Sequence, residues 1–247
     1  MDRMIYTAMT GAKYLMQRQD NLANNLANAS TPGFRAEMLA LRAMPQQGKA
    51  GETRVFAMET TTGADTTAGP VSRTGRELDV AMQGSSWLAV QGSDGSEAYT
   101  RAGSLKVDAN GALKTQSGLA VLGDGGPIVV PADSEITIAS DGTVSATPTS
   151  GARSAVVVAG RIKMVTPAQG EIKRSDDGLF RTAGGQPLPA DERAALIPGA
   201  LEGSNVNPVE AMVGMISAAR QYELQMKLLS TADANSRAAA QLLSLGN

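Results

Sequence analysis

The chain has 247 residues and a formal net charge of −2, enough for one or two domains with real cores and without a large basic patch to attract nucleic acid or anionic lipid. It contains no cysteine, which excludes disulfides, thiol catalysis and zinc–thiolate sites. It contains no histidine either, which removes the commonest general base and the commonest transition-metal ligand.

The first predicted element is a helix over residues 1–30, stopped by Ser30-Thr31-Pro32-Gly33. Proline cannot continue a helix, and glycine suits its exit. Met1, Ile5, Ala8, Ala12, Leu15, Gln19, Leu22, Leu26 and Ala29 follow alternating steps of four and three. That is a heptad seam, interrupted only at Gln19. Asn21, Asn24, Asn25 and Asn28 fall on a separate arc of the same helix. Asparagine is a poor helix former, costing several tenths of a kcal/mol relative to alanine. A solvated stripe would favour Lys and Glu. An uncharged amide face suits burial against other backbones or amides. Phe34, just past the stop, is expected to anchor the exit into the next domain.

Residues 34–75 are read as an extension, with 45–75 (including "TTTGADTTAG") as a turn-rich loop. Residues 76–203 are read as an antiparallel β domain. Asp94-Gly95, Asn110-Gly111, Asp124-Gly125, Asp141-Gly142 and Asp177-Gly178 mark the tight turns of hairpins. The strand-like runs between them are Leu78–Met82, Trp87–Gln91, Glu97–Arg101, Leu105–Val107, Ile128–Val130, Glu135–Ile138, Thr143–Ala146, Ala155–Val158 and Arg161–Val165.

Residues 204–247 are read as a second long helix. Asn207 is a natural N-cap, Pro208 fits the first turn, and Glu210 completes a capping-box-like pattern. Its seam runs through Met212, Met215, Ala219, Tyr222, Met226, Leu229, Asp233, Ser236, Ala240 and Leu243. The expected fold class is α+β: an antiparallel, hairpin-rich β domain flanked by long N- and C-terminal helices that pair as a coiled coil. Leu15, Leu22 and Leu26 are expected to pack against Met215, Tyr222, Met226 and Leu229.

Catalytic signatures are missing. There is no G-x-S-x-G, no S-x-x-K placed with partner motifs, and no G-x-x-x-x-G-K-[ST] loop. Asp176 and Asp177 sit beside a turn glycine, where aspartate is expected anyway. No catalytic, cofactor or metal residues are therefore assigned. No apolar run is long enough to span a membrane, and the N-terminus lacks the pattern of a cleaved signal peptide.

Four ordered stretches carry a resemblance: Ala23–Met38 ("ANNLANASTPGFRAEM"), Glu77–Gln91 ("ELDVAMQGSSWLAVQ"), Tyr99–Gly123 ("YTRAGSLKVDANGALKTQSGLAVLG") and Leu201–Asp233 ("LEGSNVNPVEAMVGMISAARQYELQMKLLSTAD"). Together they resemble the bacterial flagellar rod and hook family, and the opening is most similar to its proximal-rod members. Trp87-Leu88 stands where that family more often has two Phe. The resemblance implies a structural subunit, exported unfolded through the flagellar type III apparatus. It would assemble in the periplasm with proximal and distal rod proteins into the hollow drive shaft between rotor and hook. Its terminal helices would order only on assembly. Alternative readings are a distal-rod subunit or an exported adhesin or fibre subunit.

Overall fold

The computed structural model describes residues 2–45, 55–148 and 156–245. Two helices hold the chain ends: α1 (Asp2–Ala27) and α2 (Pro208–Leu245). Between them the described strands pair antiparallel wherever their register is defined. The chain divides into two compact units. The first contains residues 1–29, 37–63 and 206–247; the second contains 30–36 and 64–205.

In the first unit α1 packs on α2. A two-stranded sheet of β1 (Glu37–Pro45) and β2 (Val55–Ala64) follows α1. Two expectations are corrected here. The helix ends at Ala27, and residues 28–30 form a turn. There the Asn28 amide donates to the Asn24 carbonyl at 3.1 Å and that of Ala29 to Leu26 at 3.2 Å. Part of the stretch read as a loop is strand: β2 and β3 (Val71–Arg73). The run of β-branched threonines in β2 favours a pleated backbone once a partner strand is available. Of the rest of that loop, residues 65–70 and 74–75 have no regular secondary structure, and 46–54 lie outside the described residues.

In the second unit the next strands are β4 (Val80–Met82), β5 (Trp87–Gln91) and β6 (Glu97–Thr100). The main sheet has five strands, in the order Met164–Val165, β5, β6, Phe180–Thr182, Ile172–Arg174. β5 reads as continuous apolar sequence because both of its faces are buried. Leu88 and Val90 enter one core with Val80, Leu105, Leu113 and Val121. Trp87 and Ala89 enter a second with Tyr99, Val165, Ile172 and Phe180. The Trp87 and Phe180 rings lie 4.5 Å apart, tilted by 50°.

The run Ile128–Val130 is the third correction: it is not a strand. Its backbone makes single bridging contacts, such as Leu113 N–H to Ile128 C=O at 2.9 Å. Pro127 and Pro131 flank it, and neither has a donor for a ladder. Ala155 lies outside the described residues.

The hairpin turns follow a common plan. Aspartate Oδ1 accepts the amide two residues on: Asp94 from Ser96 at 3.0 Å, Asp141 from Thr143 at 3.0 Å, and Asp177 from Leu179 at 3.1 Å. The glycine between takes positive φ, 80° at Gly95, 87° at Gly142 and 81° at Gly178. Asp124-Gly125 departs from the plan, because there the positive φ, 115°, falls on Gly126.

Candidate assembly site

The α1 seam is placed as its spacing predicts. Ala12 and Leu15 are buried, and Ala8, Gln19, Leu22 and Leu26 are partly buried. Ile5 lies on α1, and its side chain is outside the described ones. On α2 the buried line differs from the expected one. Met215, Tyr222 and Leu229 are partly buried, as a heptad line through them requires, and of the line through 212, 219 and 226 only Ala219 is partly buried. Met212 and Met226 are exposed, at 45% each, and the buried positions of that second line are Ala211 and Ala218.

The correction of one residue has a steric cause. Alanine at 211 and 218 lets backbones approach more closely than methionine would. The same economy of volume recurs on both helices. A Cβ built on Gly214 would lie 3.1 Å from Leu22 Cδ1, and one on Gly11 would lie 3.5 Å from the Gln225 side chain. Leu22 thus packs where α2 has no side chain. Val213, Ile216, Leu224 and Leu228 join Met212 and Met226 on the exposed surface of α2.

The amide face of α1 is used in two ways. Asn25, 7% exposed, accepts the Glu37 amide on Oδ1 at 2.8 Å and donates Nδ2 to the Glu37 carbonyl at 3.0 Å. A side-chain amide here replaces the pair of bonds a neighbouring strand would make. Asn21 supports it, accepting from Asn25 Nδ2 at 3.3 Å and donating to the Glu37 carboxylate at 3.4 Å. Asn28 donates to the Asn24 carbonyl at 3.0 Å and to its side-chain oxygen at 3.2 Å. Asn24 is exposed and Asn28 partly so. Asn25 is therefore engaged with its own chain. On α2, Asn207 caps the helix as expected, its Oδ1 accepting from Val209 and Glu210 at 3.1 and 3.3 Å.

The helix stop leads into the second unit. Pro32, Gly33 and Phe34 are partly buried. Gly33 takes φ 70° and donates its amide to the Glu202 carbonyl at 2.8 Å. A Cβ there would fall 2.2 Å from the Arg101 carbonyl carbon, so only glycine fits. Phe34 lies under the Arg174 guanidinium, 4.7 Å from its ring centre.

The deeper anchor is Arg35, 1% exposed, which sequence reasoning passed over. Its Nη2 donates to Glu202 Oε1 at 2.5 Å. Arg101 Nε lies 3.0 Å from Glu202 Oε2, and Arg101 also donates to the Ser86 carbonyl and to that of Gly84 at 2.8 Å. Both guanidinium carbons lie near the Trp87 ring, at 5.8 and 5.7 Å from its centre, within cation–π range. Burial pulls Arg101 down to about 10, against the attraction of Glu202 and with repulsion from Arg35 adding to the fall. It remains a cation at neutral pH.

Asn205 closes the same region. Its Oδ1 accepts the Ala36 amide at 2.7 Å, and its Nδ2 donates to the carbonyls of Asp65 and Thr67 at 2.9 and 3.1 Å. Only the adjacency of Arg35 to the Pro-Gly stop hinted at this cluster, since a charged residue is normally read as solvated.

Three family descriptions match the chain in order. They are flagella basal body rod protein over residues 5–35, the flagellar hook protein FlgE/F/G D1 domain over 81–146, and the flagellar basal body rod FlgEFG protein C-terminal region over 197–242. The chain belongs to the flagellar basal-body rod protein family. It is 49% identical to the flagellar basal-body rod protein FlgF of Salmonella typhimurium, over 99% of this chain and 100% of that one. It is 34% identical to FlgF of Caulobacter vibrioides over 98% of both chains. With the rod protein FlgG of Bacillus subtilis the identity is 31%, over 94% of this chain and 95% of that one. The resemblance read from the sequence is confirmed at the level of the family and of its FlgF-like members.

Proposed function

We propose that this protein is a structural subunit of the proximal part of the flagellar basal-body rod, building the hollow shaft that transmits torque from rotor to hook. The observation that carries the reading is full-length identity of 49% to FlgF, against 31% to FlgG. This also favours the proximal over the distal rod. The relatives are named as rod proteins, which supports a structural role over catalysis. No helix among the described residues is long and apolar enough to cross a membrane.

The assembled shaft would use the seam of Ala8, Ala12, Leu15, Leu22 and Leu26 with Met215, Ala219, Tyr222 and Leu229 as a coiled coil. Met226 and the outer asparagines, Asn24 and Asn28, are placed for neighbouring subunits. Head-to-tail addition through such unlike surfaces gives an open helix when its rotation does not close a ring. Proximal and distal rod proteins are the partners, the export apparatus delivers the chain to the periplasm, and the helices complete their order in the assembly.

The test is deletion of the gene with complementation, reading swimming and the length of the rod in isolated basal bodies by electron microscopy. Loss of the proximal rod, restored by the wild-type chain, is the expected result. Leu26→Asp should be exported yet fail to join the rod. Normal flagella in the deletion strain would overturn the reading, and loss of surface adhesion without loss of flagella would favour an adhesin.

A further inference from the structure

The buried charges of this cluster do not balance: Arg35 and Arg101 contribute two cations and Glu202 one anion, all nearly inaccessible to solvent, while the other buried carboxylate of the second unit, Asp79, pairs with Arg76. Arg35 Nε and Nη1 have no hydrogen-bond partner among the described residues. A buried cation without its anion is costly, so both arginines depend on one carboxylate. The three come from distant parts of the chain. Arg35 follows the helix stop, Arg101 follows β6, and Glu202 precedes α2, 167 residues after Arg35.

Glu202 holds more than the arginines. Its Oε1 accepts the Gly69 amide at 2.9 Å, and its carbonyl accepts the Gly33 amide at 2.8 Å. A Cβ on Gly69 would meet the Gly203 carbonyl oxygen at 2.2 Å. The segments 30–36, 65–69 and 200–205 therefore meet with no spare volume. Trp87, the single tryptophan of the chain, lies beside both guanidiniums.

We infer that Glu202 is a latch for the second unit: its carboxylate, arriving from the far end of the chain, is what lets segment 30–36 dock with Arg35 buried. Until the latch closes, the strands can pair while segment 30–36 stays free. Once it closes, segment 30–36 is fixed within the second unit. The device stands on the geometry of this cluster and is independent of the rod assignment.

The latch predicts which peptide bonds are protected. Arg35 and Arg101 are trypsin sites hidden only in the closed state. The experiment uses the full-length purified chain, with brief tryptic digestion mapped by mass spectrometry, tryptophan fluorescence and far-ultraviolet circular dichroism. Glu202→Gln raises the local charge from +1 to +2. It should accelerate cleavage after Arg35 by about tenfold or more and expose Trp87, with strand signal retained. Arg35→Met with Glu202→Gln returns the local charge to +1, and should restore slow cleavage after Arg101 and the native tryptophan spectrum. Unchanged cleavage after Arg35 in Glu202→Gln would overturn the latch. So would a global loss of structure in Glu202→Gln that Arg35→Met does not reverse.

Discussion

Asn25 holds Glu37 by both backbone groups at once, accepting its amide at 2.8 Å and donating to its carbonyl at 3.0 Å. A poor helix former on α1 is thus the residue that replaces a strand at the start of β1. Its low helix propensity is a local cost, offset by the hydrogen bonds it makes to both backbone groups of Glu37. Asn21, one turn earlier, braces it. The asparagine stripe is accordingly an intramolecular clamp on its inner side.

Removing that clamp should be expensive. Asn25→Ala removes both side-chain hydrogen bonds to the Glu37 backbone and should cost about 2–3 kcal/mol. Hydrogen exchange at the Glu37 amide should quicken, while amides of the five-stranded sheet keep their rates. Asn24→Ala, at an exposed position, should be close to neutral in the isolated chain. Equal losses from the two variants would contradict the clamp.

Gly33 is a second fixed point. Its φ of 70° and the 2.2 Å approach of a Cβ to the Arg101 backbone act together against any side chain. Gly33→Ala should lower stability by about 2–4 kcal/mol, read as a fall in thermal midpoint. Gly75→Ala shares the positive φ, 73°, but meets nothing within 4 Å. It should cost about 1–2 kcal/mol.

The two helix glycines should respond in opposite directions. Gly11→Ala places a methyl at ordinary contact distance, 3.5 Å, from a flexible glutamine. Better helix propensity should then stabilise by about 0.5–1 kcal/mol. Gly214→Val drives a branched side chain into Leu22 and should destabilise by about 1–3 kcal/mol. Helical circular dichroism followed through heating separates the two outcomes.

The turn aspartates set the acid limit. Hydrogen bonds from Ser96 hold Asp94 below its ordinary value. Lys114 does the same for Asp108, Thr143 for Asp141, Arg181 for Asp177 and Thr166 for Asp191. A carboxyl with a depressed folded value adds stability that is complete above its unfolded value of 3.8. That stability is lost as pH falls through the lower folded values. Urea midpoints should therefore be flat near neutrality and drop on acidification below about pH 4. Asp177→Asn should make the drop shallower, because one of the titrating turns no longer contributes.

Much of this protein follows from local rules. The N-cap at Asn207 depends on a few adjacent residues, the Asp-Gly turns on a glycine free to take positive φ, and the α1 seam through Ala12, Leu15 and Leu22 on spacing alone. The strands Trp87–Gln91 and Leu105–Val107 were legible because turn chemistry delimits them. All of these are short-range, so the chain carries them whatever its surroundings.

Other features belong to the tertiary structure alone. The one-residue shift of the α2 line onto Ala211 and Ala218 depends on how near another backbone comes, which periodicity cannot report. Strand β2 exists because β1 is there to pair with it. Arg35 is buried because Glu202, far along the chain, supplies the opposing charge, and no neighbouring residue announces that partner. Backbone conformation is decided within a few residues, whereas the burial of a charge is decided by whatever the fold brings beside it.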